Sequence, residues 1–375
     1  MTGLLKDTFT EEAEAIGEPA VDLAAIVATG NRRIKRRRLG SVLVAVAASA
    51  AVIGGGLTTV QHLTTDPEVK VAVGGPFAER RPTWADGKEI HFGPQVIRVP
   101  SAIASFVQTN VAFVYTTADG GVFRVAEGGA TTPIGKVGKN QLLAADPDRG
   151  MVGWVDPTRP VPEFVVYNLV AAQEVARTST GNTRGSATAD PPVRVAAIDD
   201  GIAYFGASDG LRRWDIATGV GELIKPKAPT TFLVAAEAGQ FLWENPAGGD
   251  TDLGVGKDVN AADPTHYEGW TGHLSPQARY LMTDKADVVS VVDLRSGKSA
   301  ALTVPGYVLI VPTQWKDDHT FHAIGFVTES SRLDLLTCTI KSVTKTTCDT
   351  SVKSFAPPVT PKSTVQFPIG APITS

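Results

Sequence analysis

The chain has 375 residues, 43% hydrophobic and 20% charged, with a formal net charge of −4 and 37 glycines and 25 prolines. That length suits two average domains or one large all-β domain, and the Gly and Pro content suits many short turns. The mild acidity argues against nucleic acid as the main partner, because a phosphate backbone needs a basic surface.

Residues 1–38 form a short charged tail. Thr8 with Glu11 three residues later reads as a capping box before a short helix, which Gly17 and Pro19 end. A second helical stretch from Val21 carries Leu23, Ile26 and Val27 on one side, a face for a cytoplasmic partner. The tail closes on the cluster Arg32, Arg33, Lys35, Arg36, Arg37 and Arg38, and residues 39–63 then contain no Asp, Glu, Lys or Arg. About 25 helical residues reach about 37 Å, enough for a hydrocarbon core of about 30 Å. The pattern predicts one transmembrane helix over 39–63, in contact with membrane lipid. The basic cluster is then a topology signal that holds the N-terminus in the cytoplasm. Ala48-Ser49-Ala50 resembles a signal-cleavage site, but the long charged leader argues for a retained anchor.

Residues 64–82 read as a linker. From there, short apolar runs alternate with turn dipeptides. Examples are Ala112–Thr116 and Val122–Val125 around Asp119-Gly120-Gly121, then Ile202–Phe205 and Leu211–Trp214 around Asp209-Gly210, then Arg279–Met282 and Val288–Val292 around Lys285-Ala286-Asp287. Such spacing means a sandwich, barrel or propeller. A repeat chooses among them. Val165–Leu169 with Asn168, Arg213–Ile216 with Asp215, and Val291–Leu294 with Asp293 each place a polar residue after an apolar strand and before a turn. Asn168 and Asp215 are 47 residues apart, and Asp215 and Asp293 are 78, about two periods. A weaker unit near Asp252 fills the gap. This period, with four strands per unit, is that of a β-propeller, whose blades must stack to bury both faces.

Cys338 and Cys348 are the two cysteines of the chain. Outside the membrane they form a natural disulfide pair, on two antiparallel strands joined by a turn around Ser342–Lys345.

Gly272-His273, the run Ser275–Leu281 and Val292-Asp293 resemble one blade of the WD40 or TolB-like type, and Trp214-Asp215 stands where such blades carry Trp-Asp. The layout is also similar to the membrane-anchored propeller proteins of actinobacteria. The resemblance covers about residues 85–360. It implies an all-β fold of six or seven blades, preceded by one transmembrane helix and a short cytoplasmic tail. It further implies ring closure through Lys88–Ile97 pairing with the last blade, with the cysteines stapling that closing blade. The expected domains are tail 1–38, span 39–63, linker 64–82, extracytoplasmic propeller 83–360 and C-terminal tail 361–375.

No catalytic residue or cofactor site is expected. Gly206–Gly210 matches G-x-S-x-G around Ser208, but a strand rather than a helix follows, which reads as a hairpin turn. His319 and His322 are weak metal candidates that would face opposite sides of a strand. Asp250 and Asp252 begin like a calcium loop, but its twelfth position is Ala261. The tryptophans read mainly as core. His266, Tyr267, Glu268 and Trp270 form the loop expected to contact a ligand. The expected function is a membrane-anchored, extracytoplasmic, non-catalytic binding or sensing module for a protein, peptide or glycan. The alternatives are an extracytoplasmic hydrolase or lyase, and a transmembrane regulator whose tail docks a cytoplasmic partner.

Overall fold

A computed structural model of the chain describes residues 74–138, 142–179, 194–207, 209–229, 232–244, 252–261, 264–269, 271–285, 287–327, 332–356 and 365–371. The predicted tail, the 39–63 span with its basic cluster, and most of the linker lie outside these residues. Among the described residues no helix is long and apolar enough to cross a membrane.

The strands form seven antiparallel sheets of four, which fixes seven blades where the period allowed six or seven. Six blades are consecutive in the chain: blade 2 (105–136), blade 3 (144–179), blade 4 (194–226), blade 5 (233–268), blade 6 (271–301) and blade 7 (307–356). The first strands of neighbouring blades pack on one another around a central channel. Each blade is flanked by two others, so its second strand is covered on both faces. Phe113–Thr116 and Met151–Asp156 are buried along their whole length, while fourth strands such as Gly221–Pro226 keep exposed positions. This is why the second strands read as unbroken apolar runs rather than alternating ones. The core lies between blades. Phe164 of blade 3 meets Phe205 of blade 4 at 3.8 Å between ring centroids, with Trp214 at the edge of Phe205. Trp84, Trp154, Trp214 and Trp243 are all buried. Gly254 pairs with Trp243 across its sheet, and a Cβ there would stand 2.5 Å from the indole, so only glycine admits the ring.

The polar residue of the repeat has a local cause. It ends the third strand of its blade and its side chain holds the next turn. Asn168 Oδ1 accepts the N–H groups of Val170 and Ala171, both at 2.9 Å. Asp215 Oδ1 accepts from Thr218 at 3.0 Å, and Asp293 Oδ1 accepts from Arg295 and Ser296 at 2.9 and 3.1 Å. In blade 5 this place belongs to Asp258, which caps Asn260, and not to Asp252, which opens the third strand Asp252–Gly256.

Closure differs from the expectation. Thr83–Asp86, Glu89–Phe92 and Gln95–Arg98 supply the outer three strands of blade 1, and Val365–Gln366 comes from the far end of the chain to supply the inner one. Residues 88–97 do not pair with blade 7, which is complete without them. The predicted tail 361–375 therefore holds the latch, and the propeller extends past 360.

Cys338 and Cys348 are disulfide-bonded directly opposite each other on Leu333–Ser342 and Lys345–Ala356 of blade 7, which is not the closing blade. Closing a loop of about ten residues removes unfolded-state entropy worth about 2–3 kcal/mol. Reduction is therefore expected to lower the melting temperature by about 5–10 °C. Calorimetry with and without dithiothreitol checks this; an unchanged melting temperature in a verified dithiol form contradicts it.

Candidate polar site at the mouth of the channel

Every blade is built in the same sense, so the turns between first and second strands of blades 2–7 gather at one end of the channel. Three successive blades bring acids there. Blade 3 brings Asp146 and Asp148, blade 4 brings Asp199 and Asp200, and blade 5 brings Glu237. Two of these acids join their blade to the next. Asp146 Oδ1 accepts the Arg149 N–H at 3.1 Å, and its Oδ2 accepts the Gly201 N–H of blade 4 at 3.4 Å. Asp199 accepts the Ala238 and Gly239 N–H groups of blade 5 at 3.3 and 3.1 Å. Arg149 bonds Asp200 across the same seam.

Arg80 enters this mouth from the segment before blade 1. Its anchor is Phe77, which is buried against Phe92 and Phe113. Gln108 Nε2 donates to the Phe77 carbonyl at 2.8 Å. Arg80 Nη2 donates to Asn110 Oδ1 at 3.0 Å and lies 4.0 Å from Asp148. Burial lowers the Arg80 pKa, and the negative charges of Asp148 and Glu237 oppose that shift. Burial also pushes the Glu237 carboxyl well above its ordinary range, with Asp199, Asp146 and Asp148 adding to the rise and Arg80 opposing it. Burial raises Asp146 too, against the amides of Arg149 and Gly201. The mouth thus sets five carboxyl groups against two guanidinium groups, Arg80 beside Asp148 and Arg149 beside Asp146 and Asp200, an excess of acid that favours cationic groups.

The rise in Glu237 has a testable sign. The folded carboxyl keeps its proton to higher pH than the unfolded one, whose pKa is about 4.3. Folding stability therefore falls as pH rises from there through the raised folded value. Glu237→Gln is expected to melt higher than wild type at pH 7 and equal to it near pH 4. A variant no more stable at pH 7 contradicts this.

The residues expected from the sequence are scattered. His319 lies in the turn of blade 7, with Nε2 3.3 Å from Arg279 Nη1 and its ring edge-on to Tyr280. His322 is buried in the next strand. Its Nε2 donates to the Arg80 carbonyl at 2.9 Å, and its Nδ1 accepts from Thr337 Oγ1 at 3.1 Å. Burial lowers its pKa, and with both ring nitrogens engaged inside the fold it is a structural group. Asp250, Ser208 and Trp270 lie outside the described residues. The strands on either side of Ser208 pair as a hairpin, Ala207 opposite Gly210, with no helix after it. Asp252 meets His266 Nδ1 at 3.1 Å. His266, Tyr267 and Glu268 are not a loop: they sit on Thr265–Glu268, the outer strand of blade 5. His266 and Glu268 share one face of it, Tyr267 packs on the other, and Glu268 bonds Lys285 of blade 6. Among the described residues no three His, Cys, Asp or Glu side chains are grouped to hold a metal ion.

The acids of the mouth were missed, yet they leave a trace. Each ends an apolar first strand just before its turn: Ile198-Asp199, Ala236-Glu237 and, more weakly, Ala145-Asp146. Only the ring makes them neighbours.

No family model and no curated protein matches the sequence. Solved structures do. TolB from Acinetobacter baumannii is 15% identical over 60% of this chain, with a TM-score of 0.40, and the chain spans 63% of its length. A functionally unknown protein from Desulfotomaculum acetoxidans is 13% identical over 72% of this chain and 90% of its own, with a TM-score of 0.44. An oligogalacturonate lyase in complex with manganese is 12% identical over 64% and 78%, with a TM-score of 0.38. It is the seven four-stranded sheets and their closure by Val365–Gln366, rather than these likenesses, that make the chain a seven-bladed β-propeller.

Proposed function

We propose that the protein is a single-pass membrane protein with a cytoplasmic N-terminus, whose propeller works outside the membrane as a non-catalytic binding or sensing module. The anchor rests on the uncharged run 39–63 behind its basic cluster. The disulfide supports an oxidising compartment for blade 7. The observation that carries the binding role is the channel mouth, where three successive blades bring five acidic residues to the turns at one end and only Arg80 and Arg149 oppose them. The ligand it suits is a protein or peptide segment bearing basic residues. The hydrolase or lyase reading gains nothing from His322, whose two ring nitrogens are both engaged inside the fold. A sensing role would pass through the Leu23, Ile26 and Val27 face of the tail.

Two measurements test this. Protease shaving of intact cells expressing the chain tagged at both ends is expected to remove the C-terminal tag and spare the N-terminal one; protection of both ends overturns the topology. A labelled Lys/Arg-rich hexapeptide is expected to bind the full-length protein with salt-dependent affinity. Asp148→Asn with Asp200→Asn should weaken that binding roughly tenfold, as for lost charge-assisted contacts. Binding indifferent to these variants overturns the mouth as the site.

A further inference from the structure

A second polar feature lies away from the channel. Blades 6 and 7 enclose a cleft of about 550 Å³ on the rim, at the same end as the mouth. Its charged walls come from three separate segments of the chain. Arg279 belongs to the first turn of blade 6, Lys298 to the hairpin between the third and fourth strands of that blade, and Lys341 to the corresponding hairpin of blade 7. The hydroxyls of Ser296, Ser342 and Thr344 line the same space.

Three cations converging without an equal number of acids is unusual on a chain with net negative charge. Asp293 is the acid in the cleft, and its Oδ1 is occupied by the Arg295 and Ser296 amides. Among the described residues neither Lys298 nor Lys341 is ion-paired. Arg279 is held in place rather than free. Its guanidinium stands 5.1 Å from the Tyr280 ring centroid, and Nη1 is 3.3 Å from His319 Nε2. Its Nε is buried without a partner. A pre-oriented guanidinium, two lysines and a set of hydroxyl-bearing residues make the donor set that recognises an oxyanion.

The blade 7 wall continues from Lys341 into the hairpin tip, Ser342 to Thr344, which projects from the longest strands of the ring. The Cys338–Cys348 disulfide staples that hairpin a few residues behind its tip. The bond therefore holds Lys341 and Thr344 against blade 6.

We propose that the cleft between blades 6 and 7 is a binding site for a small multivalent oxyanion bearing phosphate, sulfate or carboxylate groups, and that the disulfide preorganises it. The site is separate from the channel mouth and of opposite charge, so its fate does not depend on the function proposed above.

The test is titration calorimetry on the full-length protein in detergent, with inorganic pyrophosphate, sulfate and citrate as separate probes. At least one probe is expected to bind saturably with a dissociation constant below about 1 mM. Lys298→Gln and Lys341→Gln should each weaken it roughly tenfold, as expected for one charged hydrogen bond. Lys136→Gln, an exposed lysine of blade 2, should leave it unchanged. Reduction of the disulfide below the melting temperature of the reduced form should also weaken it. The ranking of the three probes separates phosphate or sulfate recognition from carboxylate recognition. The proposal is overturned by an absence of saturable binding to all three, or by equal weakening in Lys136→Gln, which would mean diffuse surface charge. Unchanged affinity after reduction overturns the role of the disulfide.

Discussion

Deletion of residues 361–375 is expected to abolish cooperative unfolding of the propeller or leave the chain insoluble. The strand it removes is short, but the latch is more than the strand. Val365 and Gln366 pair with Asp86 and Ala85, filling the inner place of blade 1. Phe367 is 3% exposed among Trp84, Ile324 and Leu335, the seam between blade 1 and blade 7. The chain then turns back, Ile369 bridges Val107, and Gly370 bonds Phe106 and Leu143, tying blade 1 to blades 2 and 3. Gly370 has φ +72°, and a Cβ there would stand 2.1 Å from the Leu143 carbonyl oxygen. Without the latch, blade 1 has three strands, two sheet edges open to solvent, and no covalent tie to the end of the ring. A milder variant separates closure from aggregation. Phe367→Ala is expected to cost about 3–5 kcal/mol, about 10 °C in melting temperature for a domain of this size. Addition of a synthetic 361–375 peptide to the truncated chain is expected to recover part of the transition. A truncated chain that melts within about 3 °C of wild type would show that the ring does not depend on the latch.

Replacement of Arg177 by Leu is expected to destabilise the protein by about 3–4 kcal/mol at pH 7, because it strands three carboxylates. Arg177 lies on the outer strand of blade 3. Its Nε and Nη2 donate to the two oxygens of Glu174, both at 2.7 Å, and Nη1 donates to Glu163 at 2.7 Å and to Asp156 at 3.1 Å. One cation thus joins three strands of the blade. The Asp156 side chain is only 10% exposed. Burial alone would raise its pKa, but the Thr158 amide and hydroxyl and the Arg177 guanidinium outweigh it, and the net shift is downward. The Arg177 guanidinium is itself shifted upward, first by Glu174. A depressed carboxylate stabilises the fold above its unfolded pKa, about 3.9 for Asp, and that contribution is lost as pH falls through the lower folded value. The cost of Arg177→Leu should therefore be near its full size at pH 7 and shrink on acidification, as Asp156 loses the charge that Arg177 stabilises. Denaturant unfolding of both proteins at pH 4 and pH 7 measures it. A cost that is the same at the two pH values would mean that packing, and not charge, accounts for the loss.

Much of this molecule is written locally. The hairpins around Asp119-Gly120, Asp209-Gly210 and Ala286-Asp287 carry their own turn chemistry. Asn168, Asp215 and Asp293 cap turns two or three residues away, so their repeat is visible without any fold. The cysteine pair is legible for the same reason, since Ser342 and Lys345 close a tight turn between the two strands.

Other features depend on distance along the chain. The outer strand Thr265–Glu268 read as a loop because four residues at a sheet edge need no apolar alternation. Blade number was ambiguous because blade lengths differ: blade 1 has strands of two to four residues, and blade 7 has strands of up to twelve. The latch and the rim cleft were not legible, and the mouth left only the trace of an acid at the end of each of three first strands. His322 meets Arg80 across 242 residues, and Gln314 Nε2 donates to Gln108 Oε1 across 206. Most strands, the turns, the repeat and the cysteine hairpin are encoded locally, because each rests on side-chain alternation or on hydrogen bonds within a few residues. The number of blades, the closing strand and the pairing of distant charged groups emerge with the assembled ring. Ring closure sets those distances, and no local pattern encodes which turn of one blade will stand beside which turn of the next.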